Sequence, residues 1–140
     1  QARAAVLDRF EVALFERMFH HARFMAATRA ASGWTSQFRE IVLDVEARLH
    51  DLRPSAPPGV LDADGYAAAQ ALGASLRAAG SDGVVYPSVR CPGGECAGLF
   101  YPDLASNVRQ GRHLDYHWDG ERVDYYREPD SRKVFAITAP

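Results

Sequence analysis

Apolar residues follow two different periods along this chain, and the switches between them predict its elements. Over residues 3–29 the period is helical: at about 100° per residue, Leu7, Phe10, Leu14, Met18 and Met25 fall on one line, flanked by Phe15, Phe19 and Ala22. Ser32-Gly33 reads as the stop of that helix. Residues 38–52 alternate instead, with Ile41, Leu43, Val45, Ala47 and Leu49 on one face and Glu40, Val42, Asp44, Glu46 and Arg48 on the other, the pattern of a half-buried strand. Pro54, Pro57, Pro58 and Gly59 force a loop, after which Asp62 or Asp64 is placed to cap a helix over residues 65–79 that stops at Gly80. A buried strand over residues 83–89 follows, in which Pro87 marks an edge, a bulge or the strand's end. Residues 96–101 predict another strand, closed by Pro102-Asp103. Residues 113–118 and 121–126 flank Asp119-Gly120, the signal of a two-residue hairpin, in a register that sets Trp118 opposite Glu121, Tyr116 opposite Val123 and Leu114 opposite Tyr125. Residues 134–138 predict a last strand.

With no repeat, low-complexity segment or second domain in the pattern, the chain is read as a single domain over residues 1–140. A chain of 140 residues buries roughly two thirds of its unfolded surface, so the fold needs no metal or disulfide. With 47% hydrophobic residues, 24% charged residues and a net charge of -2, the chain has no basic excess that would favour nucleic acid. No apolar run approaches the roughly 20 residues needed to span a bilayer, and Asp8 and Glu11 break any signal-peptide pattern. The expected location is the cytoplasm, with which two cysteines agree.

The candidate chemistry gathers at Gly83-Val84-Val85-Tyr86-Pro87-Ser88-Val89-Arg90, an apolar strand that delivers a Ser and an Arg at its end, followed by Cys91-Pro92-Gly93-Gly94-Glu95. Ser88 has no G-x-S-x-G surroundings and no assignable His–Asp pair, so it is read as a binding hydroxyl rather than an acyl-transfer nucleophile. Gly93-Gly94 allows a turn with exposed amides, and Arg90 and Arg112 are candidate phosphate partners, although each of these also fits an ordinary turn or a solvated charge. On the first helix Glu16 borders the apolar arc, with His20 and Arg23 one and two turns along the same side; such pairs are ordinarily weak surface contacts. Cys91-x4-Cys96 with His113-x3-His117 imitates zinc-finger order. It fails because residues four apart on a strand are about 13 Å apart, and a small buried hydrophobe is the better reading of Cys96. No metal site is expected. A disulfide would need the Gly93-Gly94 loop to fold back.

Several segments in the same order resemble the RES-domain toxins of bacterial toxin–antitoxin pairs. They are Tyr66-Ala67-Ala68-Ala69-Gln70-Ala71-Leu72-Gly73, Leu76-Arg77-Ala78-Ala79-Gly80-Ser81-Asp82-Gly83, Val85-Tyr86-Pro87-Ser88-Val89-Arg90, Pro92-Gly93-Gly94-Glu95-Cys96 and Gln110-Gly111-Arg112-His113-Leu114. Phe15-Glu16-Arg17-Met18-Phe19-His20 likewise resembles the family pattern of a glutamate followed four residues on by a His after an aromatic residue. The resemblance implies an α/β (α+β) fold, a compact single domain with a small mixed or antiparallel sheet and helices, similar to ADP-ribosyltransferases, and a toxin that consumes NAD+ by cleaving the nicotinamide–ribose bond. NAD+ is then the substrate and no cofactor is needed. It also implies an Xre-type antitoxin partner that blocks the site, with no direct binding of nucleic acid or membrane. Glu16 and Ser88 would be catalytic, and Tyr86, Arg90 and His20 would bind substrate, with Arg90 a secondary contact. A mono-ADP-ribosyltransferase acting on a protein and a catalytically incomplete interaction module are the alternatives. Family members carry an Arg and a Tyr on strands ahead of the glutamate helix. Here Arg3 and Arg9 are read as lying in the helix itself, so the N-terminal strands are expected to be missing.

Overall fold

The structure, a computed structural model, describes residues 4–137. Among the described residues two helices and eight strands make a mixed α+β fold, the expected class, with the strands in two four-stranded sheets rather than the one small sheet expected. The chain divides into two compact units.

The first unit comprises Gln1–Glu16 and Val45–Ser106. Its sheet has the order β1-β5-β4-β3, from β1 (Ala4–Leu7), β3 (Leu49–Asp51), β4 (Gly83–Pro87) and β5 (Glu95–Leu99). β3 runs parallel to β4, as a crossover through helix α2 (Ala67–Ala78) requires, and the other pairs are antiparallel. β4 is an interior strand, and Pro87 stands at its last paired position, opposite Glu95. That is where a residue without an N–H costs the ladder least. The backbone of Gly83 passes so close to Gly98 that a side chain would strike the Gly98 carbonyl. Val12 at 0% exposure packs with Cys91 and Cys96, and Leu7, Phe15 and Tyr86 close around them.

The second unit comprises Arg17–Asp44 and Asn107–Pro140. Its sheet has the order β2-β6-β7-β8, from β2 (Trp34–Val45), β6 (Ala105–Trp118), β7 (Val123–Glu128) and β8 (Lys133–Ala136). Buried His21 and Tyr116 and half-buried Phe38 make its aromatic centre, with ring centroids 4.7 Å apart for Phe38–Tyr116 and 5.0 Å for His21–Phe38. Helix α1 (Phe10–Ala26) contributes its residues up to Glu16 to the first unit and the remainder to the second.

Several boundaries differ from the sequence reading. The first predicted helix begins only at Phe10: residues 4–7 form β1, and Leu7 pairs with Cys96 instead of lining a helix. Four residues are too few to separate the two periods, and the open side of β5, with the mutual Asp8–Glu95 bonds of 3.1 and 3.2 Å, decides for a strand. A strand therefore precedes the glutamate helix, and Arg9 lies outside that helix. The strand expected over residues 38–52 is two strands in two sheets. Arg48 breaks it by giving its N–H to Asp82 at 2.8 Å, and Ile41 is 50% exposed although Leu43, Val45 and Leu49 are half-buried as expected.

α2 starts two residues late, with Tyr66 rather than Asp62 or Asp64 at its N-cap and no side-chain cap; Asp62 instead accepts the N–H of Asp64. It stops at Gly80, φ +82°, as expected. The hairpin is longer than Asp119-Gly120 alone. The Asp119 carboxylate accepts the N–H groups of both Glu121 and Arg122 at 2.8 Å and opens a four-residue loop, so Trp118 faces Val123 and Tyr116 faces Tyr126. Only Gly120 takes positive φ there. β8 covers most of the expected last strand, whose final residue, Thr138, lies outside the described residues.

Candidate active site

The sequence-predicted Glu16, Ser88, Tyr86 and Arg90 all belong to the first unit. Val12, fixed in the Cys91–Cys96 cluster, lies one turn before Glu16 on α1, so the same helix face that anchors the core presents the carboxylate. From the other side, β4 ends at Pro87 and delivers Ser88, 8% exposed, into a closed turn: the Ser88 N–H bonds the Gly94 carbonyl at 2.8 Å and the Gly94 N–H bonds the Cys91 carbonyl at 2.9 Å. Gly94 has to be glycine, because a Cβ would run into the immobile Val12.

Glu16 and Ser88 meet directly. Ser88 Oγ donates to Glu16 Oε1 at 2.8 Å and accepts the N–H groups of Arg90 at 3.3 Å and Cys91 at 3.1 Å. The hydroxyl proton is thereby committed to the carboxylate. Arg90 Nη1 donates to Glu16 Oε2 at 3.0 Å and its Nη2 to the Ala63 carbonyl at 3.1 Å. This ion pair is largely shielded from water, with side-chain exposures of 14% and 13%. Cys96 Sγ, on β5, stands 3.8 Å from Glu16 Oε1 as a weak donor. Burial first, and Glu16 next, push the Cys96 thiol up to about 12, so it stays protonated. Tyr86 is pushed up to about 12 by burial first, then by Cys96 and Glu16, and remains a neutral phenol. Each carboxylate oxygen therefore faces a donor, which fixes its plane. One fixed anion, a hydroxyl, a phenol and a guanidinium suit a sugar diol and a positive charge developing beside it.

His20 and Arg112 fall in the second unit. His20 is exposed, meets Phe19 edge-on at 5.5 Å and lines a cavity of that unit. Arg112 lies 3.7 Å from Glu40 and 3.9 Å from Glu128. His113 and His117 pair with Asp130 at 3.0 Å and Asp124 at 2.6 Å. Among the described residues no group of three or more His, Cys, Asp or Glu side chains could hold a metal ion, and Cys91 and Cys96 are free thiols.

Sequence reasoning missed Cys96 and the Ala63 carbonyl as neighbours of the carboxylate and its arginine. Nothing local signals either, since both arrive by tertiary packing. It also missed Arg9, whose guanidinium lies 3.7 Å from where a Cβ on Gly93 would be.

The RES domain family model matches residues 8–119, from the turn before α1 to the start of the hairpin loop, and that span includes Glu16, Tyr86, Ser88 and Arg90. The chain belongs to the RES domain family. At family level this carries an association with NAD+-using enzymes and with toxin–antitoxin pairs. Comparisons with curated proteins and with solved structures return no match. Among the described residues, no helix of this RES domain is long and apolar enough to cross a membrane.

Proposed function

We propose that this RES domain cleaves the nicotinamide–ribose bond of NAD+ as the cytoplasmic toxin of a toxin–antitoxin pair, held in check by an Xre-type partner protein. The observation that carries the reading is the Glu16 carboxylate held between Ser88 Oγ and Arg90 Nη1. Nicotinamide in NAD+ is a cationic pyridinium. When the C1′–N bond breaks, nicotinamide leaves with the bonding electron pair as a neutral molecule and needs no proton from an acid. One carboxylate is then enough: Glu16 accepts a hydrogen bond from a ribose hydroxyl and stabilises the positive charge that grows on C1′ and the ring oxygen. Ser88 orients that carboxylate. Tyr86, a neutral phenol at the same cluster, is placed to bond or stack at the nicotinamide-ribose end. Water or inorganic phosphate adds to C1′ and its proton passes to solvent, so NAD+ is consumed as a substrate.

NAD+ depletion measured with and without the partner protein tests this. Glu16→Gln keeps the shape and removes the charge, and the expected loss is on the order of 100-fold or more. A wild-type rate in that variant overturns the assignment. Mass spectrometry of the products separates free ADP-ribose or its phosphate from a modified protein, the outcome for a mono-ADP-ribosyltransferase.

One observation favours a catalytically incomplete interaction module instead. Arg90, the candidate pyrophosphate partner in this unit, is already engaged by Glu16 and the Ala63 carbonyl. Absence of NAD+ consumption by a chain that still binds its partner would decide for that module.

A further inference from the structure

The second unit holds a cavity whose lining includes none of Glu16, Ser88, Tyr86 and Arg90. Its volume is about 370 Å³, and it is lined by Arg17, His20, His21 and Phe24 of α1 and by Ser36 and Phe38 of β2. None of these six residues is acidic. Arg17, an exposed residue, sets its guanidinium carbon 4.7 Å from the Phe38 ring centroid, and Phe38 itself packs against Tyr116. That cation–π contact favours the guanidinium staying at the cavity, where it can meet a ligand.

Along the same face of α1, one and two turns past Arg17, stand His21 and Phe24. Phe24 is 64% exposed, far more than a ring of its size needs, and it stacks on His21 with centroids 6.3 Å apart and an interplanar angle of 23°. His21 is 6% exposed, and burial, followed by the charge on Arg17, pushes it below its usual value, so it stays neutral at neutral pH. It presents a ring rather than a second cation. Ser36, half-buried on β2, adds a hydroxyl that can donate or accept.

We infer that this cavity is a binding site for a small planar aromatic anion, one ring system carrying a single carboxylate or phosphate. The anion pairs with Arg17, whose fork suits a carboxylate or a phosphate, and the ring lies along Phe24 and His21. Size suits the class. Ligand pockets run from about 300 to 1,000 Å³, so this one sits at the small end, with room for a single ring system carrying one anionic group. The Arg17 charge, with no carboxylate among the lining residues, favours an anionic ligand over a cationic one. The inference stands whether or not the chain cleaves NAD+, since it is carried by Arg17, His21 and Phe24, none of which the NAD+ reading assigns a role.

The test is a titration of the whole chain, following the His20 and His21 ring resonances by NMR and the heat by calorimetry, with AMP and nicotinate as probes. Adenosine and nicotinamide supply the rings without the anion, and inorganic phosphate supplies the anion without the ring. Saturable shifts of the His21 ring are expected with AMP or nicotinate, at least about tenfold stronger than with the neutral counterparts or phosphate, as a charge-assisted bond of 1.5–3 kcal/mol requires. Arg17→Gln should lose about tenfold and Arg17→Lys less, because lysine keeps the charge without the fork. If Arg17→Gln fails to fold, Ser36→Trp, which fills the cavity from β2 and leaves Arg17 in place, should abolish the shifts. The inference is overturned if neither probe saturates below about 10 mM, a threshold worth less than about 3 kcal/mol. Phosphate or the neutral rings matching the anions, or undiminished binding by the folded variants, would overturn it equally.

Discussion

Removing the Arg90 side chain isolates what holds Glu16 in place. In Arg90→Ala the carboxylate keeps Ser88 on Oε1 but loses the 3.0 Å bond on Oε2, while the Ala63 carbonyl loses its 3.1 Å partner. Both charged groups are about one-seventh exposed, so the pair lies between a surface ion pair, worth about 0–1 kcal/mol, and a fully buried one, whose breaking costs about 3–5 kcal/mol. The expected cost of Arg90→Ala is about 2–3 kcal/mol, because water reaches the stranded carboxylate only in part. Glu16→Gln should cost about 1–2 kcal/mol, since the amide oxygen still accepts from the guanidinium. Combined, the two changes should cost less than their sum by about 1 kcal/mol or more, because without Arg90 the loss of the Glu16 charge weakens no ion pair and relieves a stranded carboxylate. At roughly 0.3 kcal/mol per degree for a chain of this length, Arg90→Ala alone lowers the melting temperature by about 7–10 °C. Urea denaturation of the four proteins of the cycle, at unchanged m-value, measures it. Strict additivity, with a coupling under about 0.3 kcal/mol, would show that the two side chains do not hold each other in solution and would refute the geometry on which the site rests.

Gly94→Ala should destabilise the first unit by about 1–3 kcal/mol, because its methyl group meets Val12, which is fully buried and has nowhere to move; a melting curve matching wild type would contradict the closed turn beyond β4. Gly120→Val puts a β-branched residue at φ +110° and should cost about 1–3 kcal/mol, read as a fall in melting temperature, with no change expected if the loop can take another path. For Cys96, whose thiol is held up at about 12 against an ordinary value near 9, the folded state keeps its proton longer than the unfolded one. Its contribution is therefore fully present below about pH 9 and is lost as pH rises from there through about 12, so wild type should lose stability over that window more steeply than Cys96→Ala. Iodoacetamide should label Cys96 rapidly only once the chain unfolds; fast labelling of folded protein at pH 8 would mean the thiol is not buried against Glu16.

The sequence by itself determined the element types. The helical period over most of residues 10–26, the alternation around Leu43 and Val45, the stop at Gly80 and the apolar run into Pro87 all appear in the fold, because side-chain periodicity and backbone restriction at Gly and Pro act locally. The order of the family segments also placed Glu16 and Ser88 in one reading of a site. Three outcomes needed the tertiary structure. Residues 4–7 became a strand because β5 had an unpaired side to offer, which four residues of local pattern do not reveal. The hairpin register moved because one carboxylate, Asp119, caps two backbone N–H groups, a competition no alternation rule encodes. At the site, Arg90 turned onto Glu16 across a sequence separation of 74, and Cys96 came up beside the same carboxylate from β5. Long-range bonds of that kind depend on where packing around Val12 sets the helix against the strand ends, and that is a property of the assembled core.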